Sequence, residues 1–183
     1  MESVSDRLDD QPLPKKSIKL GPEKQTLTLT LPNKLAAGQH QPALKFNGKI
    51  NAQGQGLFYA RYQEERTNEK KIMLGTQFEA TDARRMFPCW DEPSFRARFQ
   101  LTAVVPENFT AVSNLPVESE EKNDGHREVR FALSPSMSSY LVVLVAGELD
   151  SIESEQDGVK LRVFATKGKA EMGRYALESE AKI

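Results

Sequence analysis

Polar and apolar residues alternate along most of this chain, and the period is two. In Lys24 to Leu31, Leu27, Leu29 and Leu31 fall on one face and Thr26, Thr28 and Thr30 on the other, the mark of a half-buried strand. Pro32-Asn33 stops that run. Ala43 to Ile50 alternates in the same way, with Leu44, Phe46 and Ile50 on one side. Leu57 to Tyr62 is strand-like by its aromatic content. Further strands are expected over Lys71–Glu79, Arg96–Val105, Phe109–Val112, Glu128–Leu133, Tyr140–Leu149 and Val159–Thr166. The charged residues 64–70 read as a solvated hairpin connection, and residues 118–126 as an acidic loop tip around the turn Asp124-Gly125. Strands at this spacing with few helices between them predict a mainly β domain, an antiparallel sandwich or large curved sheet.

Two segments break the period. Thr81 to Met86 reads as a short helix with Thr81 as N-cap, and residues 169–183 as a longer one striped by Met172, Tyr175, Ala176 and Ile183. That second helix reaches the last residue with no capping glycine, which suggests a boundary inside a longer protein. Residues 1–16 have no such pattern and are expected to be flexible or irregular.

Composition narrows the function classes. The 183 residues suit one domain, and 25 Lys plus Arg against 26 Asp plus Glu leave a net charge of -1. That balance gives no electrostatic reason to expect nucleic acid or an anionic membrane as partner. No apolar run has the length of a membrane span. The first sixteen residues lack the basic start and apolar centre of a signal peptide, which favours a cytoplasmic protein. A single cysteine, Cys89, excludes an internal disulfide.

The unusual chemistry is concentrated in Gly75 to Pro93, GTQFEATDARRMFPCWDEP. On a strand Gln77 and Glu79 share a face, with Phe78 opposite. A glutamine beside a glutamate suits an ammonium group: the carboxylate supplies charge and the amide a directional acceptor. Unit charges about 4 Å apart attract by roughly 4 kcal/mol at an effective dielectric of 20. By spacing alone the favoured reading of the pair is two solvated polar residues at an exposed strand end, because such pairs are common on half-buried strands. Arg84 and Arg85, about two turns before Asp91 and Glu92, are expected to pin this turn by ion pairing. Cys89 reads as a structural thiol and Trp90 as a core anchor for the loop. There is no His-Glu-x-x-His, and His40 and His126 lie far apart, so no metal site is expected from this chain alone. Ser136, Ser138 and Ser139 read as turn residues rather than nucleophiles.

Gly56-Leu57-Phe58-Tyr59, the Gly75–Pro93 segment, Phe99 through Pro106, and Met137 to Leu141 with Gly147 form an ordered series. The series resembles the amino-terminal domain of the M1 (gluzincin) zinc aminopeptidases, with a likeness to the puromycin-sensitive type, from about residue 17 to the end. The resemblance implies a saddle-shaped β domain over residues 17–167, with its opening strands missing. Residues 168–183 would then begin the first helix of the catalytic domain, truncated. It also implies that Gln77 lines the pocket for the substrate's first side chain and that Glu79 binds the free α-amine of a peptide. Zinc would belong to the full-length enzyme: the family's metal-binding motif, Gly-Ala-Met-Glu-Asn loop and transition-state tyrosine are not among these residues. The expected function is therefore substrate recognition for an aminopeptidase, with the fragment inactive by itself. The alternative is a non-catalytic M1-like scaffold or interaction module.

Overall fold

The computed structural model describes residues 2–180, with the side chains of residues 2–6, 15 and 180 left aside. It is mainly β and built from antiparallel pairs, as the alternation predicts. The strands are β1 (Glu2–Leu8), β2 (Gln11–Pro12), β3 (Ile18–Gly21), β4 (Thr26–Leu29), β5 (Pro42–Asn47), β6 (Gly56–Gln63), β7 (Lys70–Gln77) and β8 (Arg96–Ala97). They continue as β9 (Thr102–Pro106), β10 (Thr110–Ser113), β11 (Val117–Asn123), β12 (His126–Phe131), β13 (Met137–Ser138), β14 (Leu144–Gly147), β15 (Leu149–Gln156) and β16 (Val159–Thr166), before the helix α1 (Arg174–Glu180).

A three-stranded sheet in the order β11-β12-β9 faces a four-stranded one in the order β10-β14-β7-β6. Alternate residues of β9 and of the end of β12, with inward residues of β10 and β14, are buried between them. Ala103 and Val105 come from β9, Val129 and Phe131 from β12, Ala111 from β10, and Leu144 and Ala146 from β14. Val104, the odd residue of β9, is 63% exposed. The period of two read from the sequence is thus the two-sidedness of this sandwich.

Several boundaries differ from the sequence expectation, each because a distant partner decides them. The segment expected to be irregular is strand over much of its length: Glu2–Leu8 pairs with Pro42–Asn47, and Gln11–Pro12 folds back on β1. Residues 118–126 are not a loop tip. The turn is only Asp124-Gly125, both at positive φ, and β11 runs to Asn123 as a fully exposed edge strand. Its acidic side chains meet arginines of β12, Glu118 with Arg130 at 2.9 Å and Glu120 with Arg127 at 3.3 Å. Charge of this kind suits an edge exposed to water.

The run Arg96–Val105 is two strands, because Ser134 replaces the ladder between them. Its Oγ accepts from Phe99 N at 2.9 Å, and its own N–H donates to Phe99 O. Tyr140–Leu149 likewise divides into a 3-10 turn at Ser139–Leu141, then β14 and the start of β15. The short helix expected at 81–86 is a 3-10 turn, Ala83–Arg85, with Asp82 rather than Thr81 at the cap position. The carboxy-terminal helix is a 3-10 turn, Ala170–Gly173, leading into α1, while residues 181–183 of the expected helix lie outside the described residues. Its buried face is Ala170 and Leu177, whereas Met172 and Tyr175 are exposed. Among the described residues no helix is long and apolar enough to cross a membrane.

Candidate functional site

A second, smaller cluster holds the segment that the sequence singled out. Phe78 is 1% exposed, with Ala83 and Val142 buried around it and Met86, Phe87, Cys89, Phe99, Met137 and Tyr140 packed against them. The Phe87 ring meets Phe78 edge-on at 6.0 Å between centroids, a favourable aromatic geometry. Asp82 N donates to Phe78 O at 2.9 Å, so the chain turns immediately after the strand. The Glu79–Ala80 peptide is cis.

Gln77 ends β7 opposite Gly56, and Glu79 follows two residues on, past the last ladder position. Both are exposed while Phe78 between them is buried, which puts the two polar residues on the solvent side of the same anchor. Among the described residues no cation pairs with the Glu79 carboxylate and no hydrogen bond engages it, in contrast to Asp91. The site is thus an exposed amide and an exposed carboxylate raised on a rigid base.

That base is fastened by Asp91. One carboxylate oxygen accepts from Arg84 N and from Arg84 Nε, both at 2.9 Å, and the other accepts from Ser139 Oγ at 2.8 Å. Arg84 also donates to Asp91 O at 2.9 Å. The aspartate side chain is 2% exposed, so its charge is met almost entirely by these donors. Arg85 pairs with Asp82 rather than with Glu92. Next door, Ser138 Oγ donates to Pro93 O at 2.6 Å. Ser138 and Ser139 are therefore buried structural hydroxyls, a role that nothing local in the sequence signals.

Two expectations for the segment change or sharpen here. Trp90 is not a core anchor: it is 77% exposed, while its neighbour Asp91 turns inward to Arg84. Cys89 is half-buried, and burial first, then the nearby Asp91 charge, pushes its thiol up to about 11. It is an unreactive thiol at neutral pH.

Neither histidine approaches this segment. His40 lies between Asp9 Oδ2 at 2.6 Å and Ala36 O at 2.9 Å, and His126 meets Asp124 O at 3.0 Å. Among the described residues no group of three or more His, Cys, Asp or Glu side chains is placed to hold a metal ion.

The family model for the peptidase M1 N-terminal domain matches residues 3–141. The chain belongs to the M1 peptidase family. The M1 match starts within the segment expected to be irregular, in agreement with the pairing of β1 and β5. Among curated relatives, the chain is 43% identical over 160 residues to "Aminopeptidase N" of Acetobacter pasteurianus, covering 87% of this chain and 45% of that protein. It is 42% identical over 161 residues to "Aminopeptidase M1" of Arabidopsis thaliana, covering 87% of this chain and 18% of the relative. To the "Puromycin-sensitive aminopeptidase" of Caenorhabditis elegans it is 42% identical over 159 residues, 85% of this chain and 17% of the relative. The chain thus spans less than half the length of the curated M1 relatives it matches.

Proposed function

We propose that this chain is the substrate-recognition part of a zinc metallo-aminopeptidase that removes amino-terminal residues from peptides. In this reading Glu79 binds the free α-ammonium of the substrate, and Gln77 lines the pocket for its first side chain. The observation that carries it is the state of Glu79: a carboxylate without a cation among the described residues, exposed beside Gln77, next to a phenylalanine that is 1% exposed. An ammonium receptor needs such an anchor, because positioning the charge is what selects a chain terminus over an internal peptide bond.

The names of the relatives, aminopeptidases all three, support the same activity. The described residues do not fit a zinc ion, as they lack any cluster of metal-ligating side chains. The metal and the hydrolytic step are therefore assigned to other residues of the whole protein. The recognition domain is read as including β1, which pairs with β5 inside the family match, and as running to residue 167, with residues 168–183 as the opening of the catalytic one.

The test is kinetic, on the full-length gene product containing this chain. Glu79→Gln is expected to raise KM and lower kcat/KM for free-amine substrates by about ten- to a hundredfold, the loss of one charged hydrogen bond. Unchanged kinetics would return Glu79 to the role of a solvated residue. A full-length protein with no peptidase activity at all would favour the scaffold reading instead.

A further inference from the structure

Away from the recognition segment, His40 joins two parts of the chain that substrate binding does not involve. β1 and β2 are connected by the two residues Asp9-Asp10, both at positive φ, the geometry of a tight hairpin turn. The turn aims the Asp9 carboxylate at the chain entering β5. Its Oδ1 accepts from Gln41 N at 2.7 Å and its Oδ2 meets His40 Nδ1 at 2.6 Å, while Asp9 N donates to Gln41 O at 3.0 Å. The other ring nitrogen, Nε2, meets Ala36 O at 2.9 Å, so the same ring closes residues 36–40 on themselves. Among the described residues Asp9 is the one charged group that meets the ring. Arg7, beside it, donates to Asp10 O, and Asp10, Lys34 and Lys45 make no ion pair with the histidine.

This arrangement demands a charge state. Both ring nitrogens face oxygens that can only accept, a carboxylate and a carbonyl, so each contact needs an N–H from the ring. Imidazolium has two and neutral imidazole has one. Loss of the proton therefore sets a nitrogen lone pair against an oxygen at one of the two contacts. We propose that His40 is a proton-operated clasp, which holds residues 36–41 on the β1–β2 turn while the ring is charged and slackens when it is neutral. The clasp shares no residue with Gln77 and Glu79, and it stands whether or not they bind a substrate amine. The Ala36 carbonyl and then the Asp9 carboxylate hold His40 above its ordinary 6.5, and the Gln41 N–H and then His40 hold Asp9 below its ordinary 3.8. For the raised histidine the stabilisation is complete below the unfolded-state value and disappears as pH rises through the folded one. For the lowered carboxyl it is complete above the unfolded-state value and disappears as pH falls through the folded one. The clasp is thus shut in weakly acid solution and opens first on the alkaline side.

The 183-residue chain has only two histidines, so proton NMR can follow the His40 ring directly, with His40→Gln identifying its resonance. The His40 titration midpoint is expected to fall in Asp9→Asn, whose amide offers the ring no charge. Solvent exchange of the Asp9 and Gln41 amides, corrected for the intrinsic effect of pH, reads the clasp itself. Their protection should drop by about three- to tenfold as pH rises through the His40 midpoint, the worth of an exposed ion pair with its hydrogen bond. In His40→Gln, whose amide still donates but does not titrate, protection should stay constant over the same range. Both side chains are partly exposed, so neither variant removes core packing. An unchanged His40 midpoint in Asp9→Asn would overturn the proposal. So would protection that ignores pH in the parent chain, or a pH dependence that persists in His40→Gln.

Discussion

Asp91 looks in the sequence like one acid of an exposed Asp-Glu-Pro turn. In the structure its carboxylate is buried and takes three hydrogen bonds, two from Arg84 and one from Ser139, forty-eight residues away in the chain. The pairing with Arg84 was legible from spacing, whereas the burial was not, because Ser139 is brought there by the second core cluster. A buried charge stripped of a partner, or donors stripped of their acceptor, is costly. Asp91→Ala is therefore expected to destabilise the chain by about 3 kcal/mol, the lower end for broken buried pairs because Arg84 keeps some contact with water. Urea unfolding monitored by circular dichroism checks this. A loss below about 0.5 kcal/mol would place Asp91 among ordinary surface residues.

At the scale of elements, the β6–β7 hairpin is what delivers Gln77 and Glu79 to their position. Its last ladder pair is Gly56 with Gln77. Gly56 has a φ of +64°, and a Cβ added there would stand 2.6 Å from Arg85 Cβ. The glycine thus lets the 3-10 turn Ala83–Arg85 lie directly on the start of β6. Gly56→Ala must strain the backbone and push that turn away, and more than about 1 kcal/mol of stability should be lost. A thermal melt checks the loss, and weaker hydrogen-exchange protection at Met86 and Phe87 would locate it. The sequence showed a glycine directly before a strand. It could not show the arginine on the other side, since that contact joins elements about thirty residues apart.

Across the whole molecule, one buried ion cluster ties the hairpin to the rest. Lys71 Nζ reaches Glu64 and Glu148, each at 2.7 Å, and Tyr62 donates to Glu148 O at 3.3 Å. Glu64 was expected to be solvated, and instead only 5% of its side chain is exposed. The Lys71 hydrogen bond holds the Glu64 carboxyl below the usual range, and Glu148 and then Glu64 hold Lys71 above its own. For a lowered carboxyl the stabilisation is complete above the unfolded-state value and disappears as pH falls through the folded one. For the raised lysine it is complete below the ordinary lysine value and disappears only in strong alkali. Stability from this cluster is therefore full at neutral pH and lost on the acid side first. Thermal midpoints followed from neutral pH into acid should show Glu64→Gln well below the parent protein at neutrality and converging with it in acid. Parallel curves would mean that the cluster contributes nothing through Glu64.

Periodicity determined the fold class, because alternation records which side of a strand faces apolar neighbours, and that record is local. The motif order and the exposed Gln77 and Glu79 flanking Phe78 were legible for the same reason. What the tertiary structure decided were the pairings between distant segments. They made a strand of residues 2–8 and another of 117–123, divided the long runs at Ser134 and Ser139, and turned Asp91 inward and Trp90 outward. Hydrogen bonds and burial between parts of the chain far apart in sequence set these outcomes, and no window of neighbouring residues contains both partners.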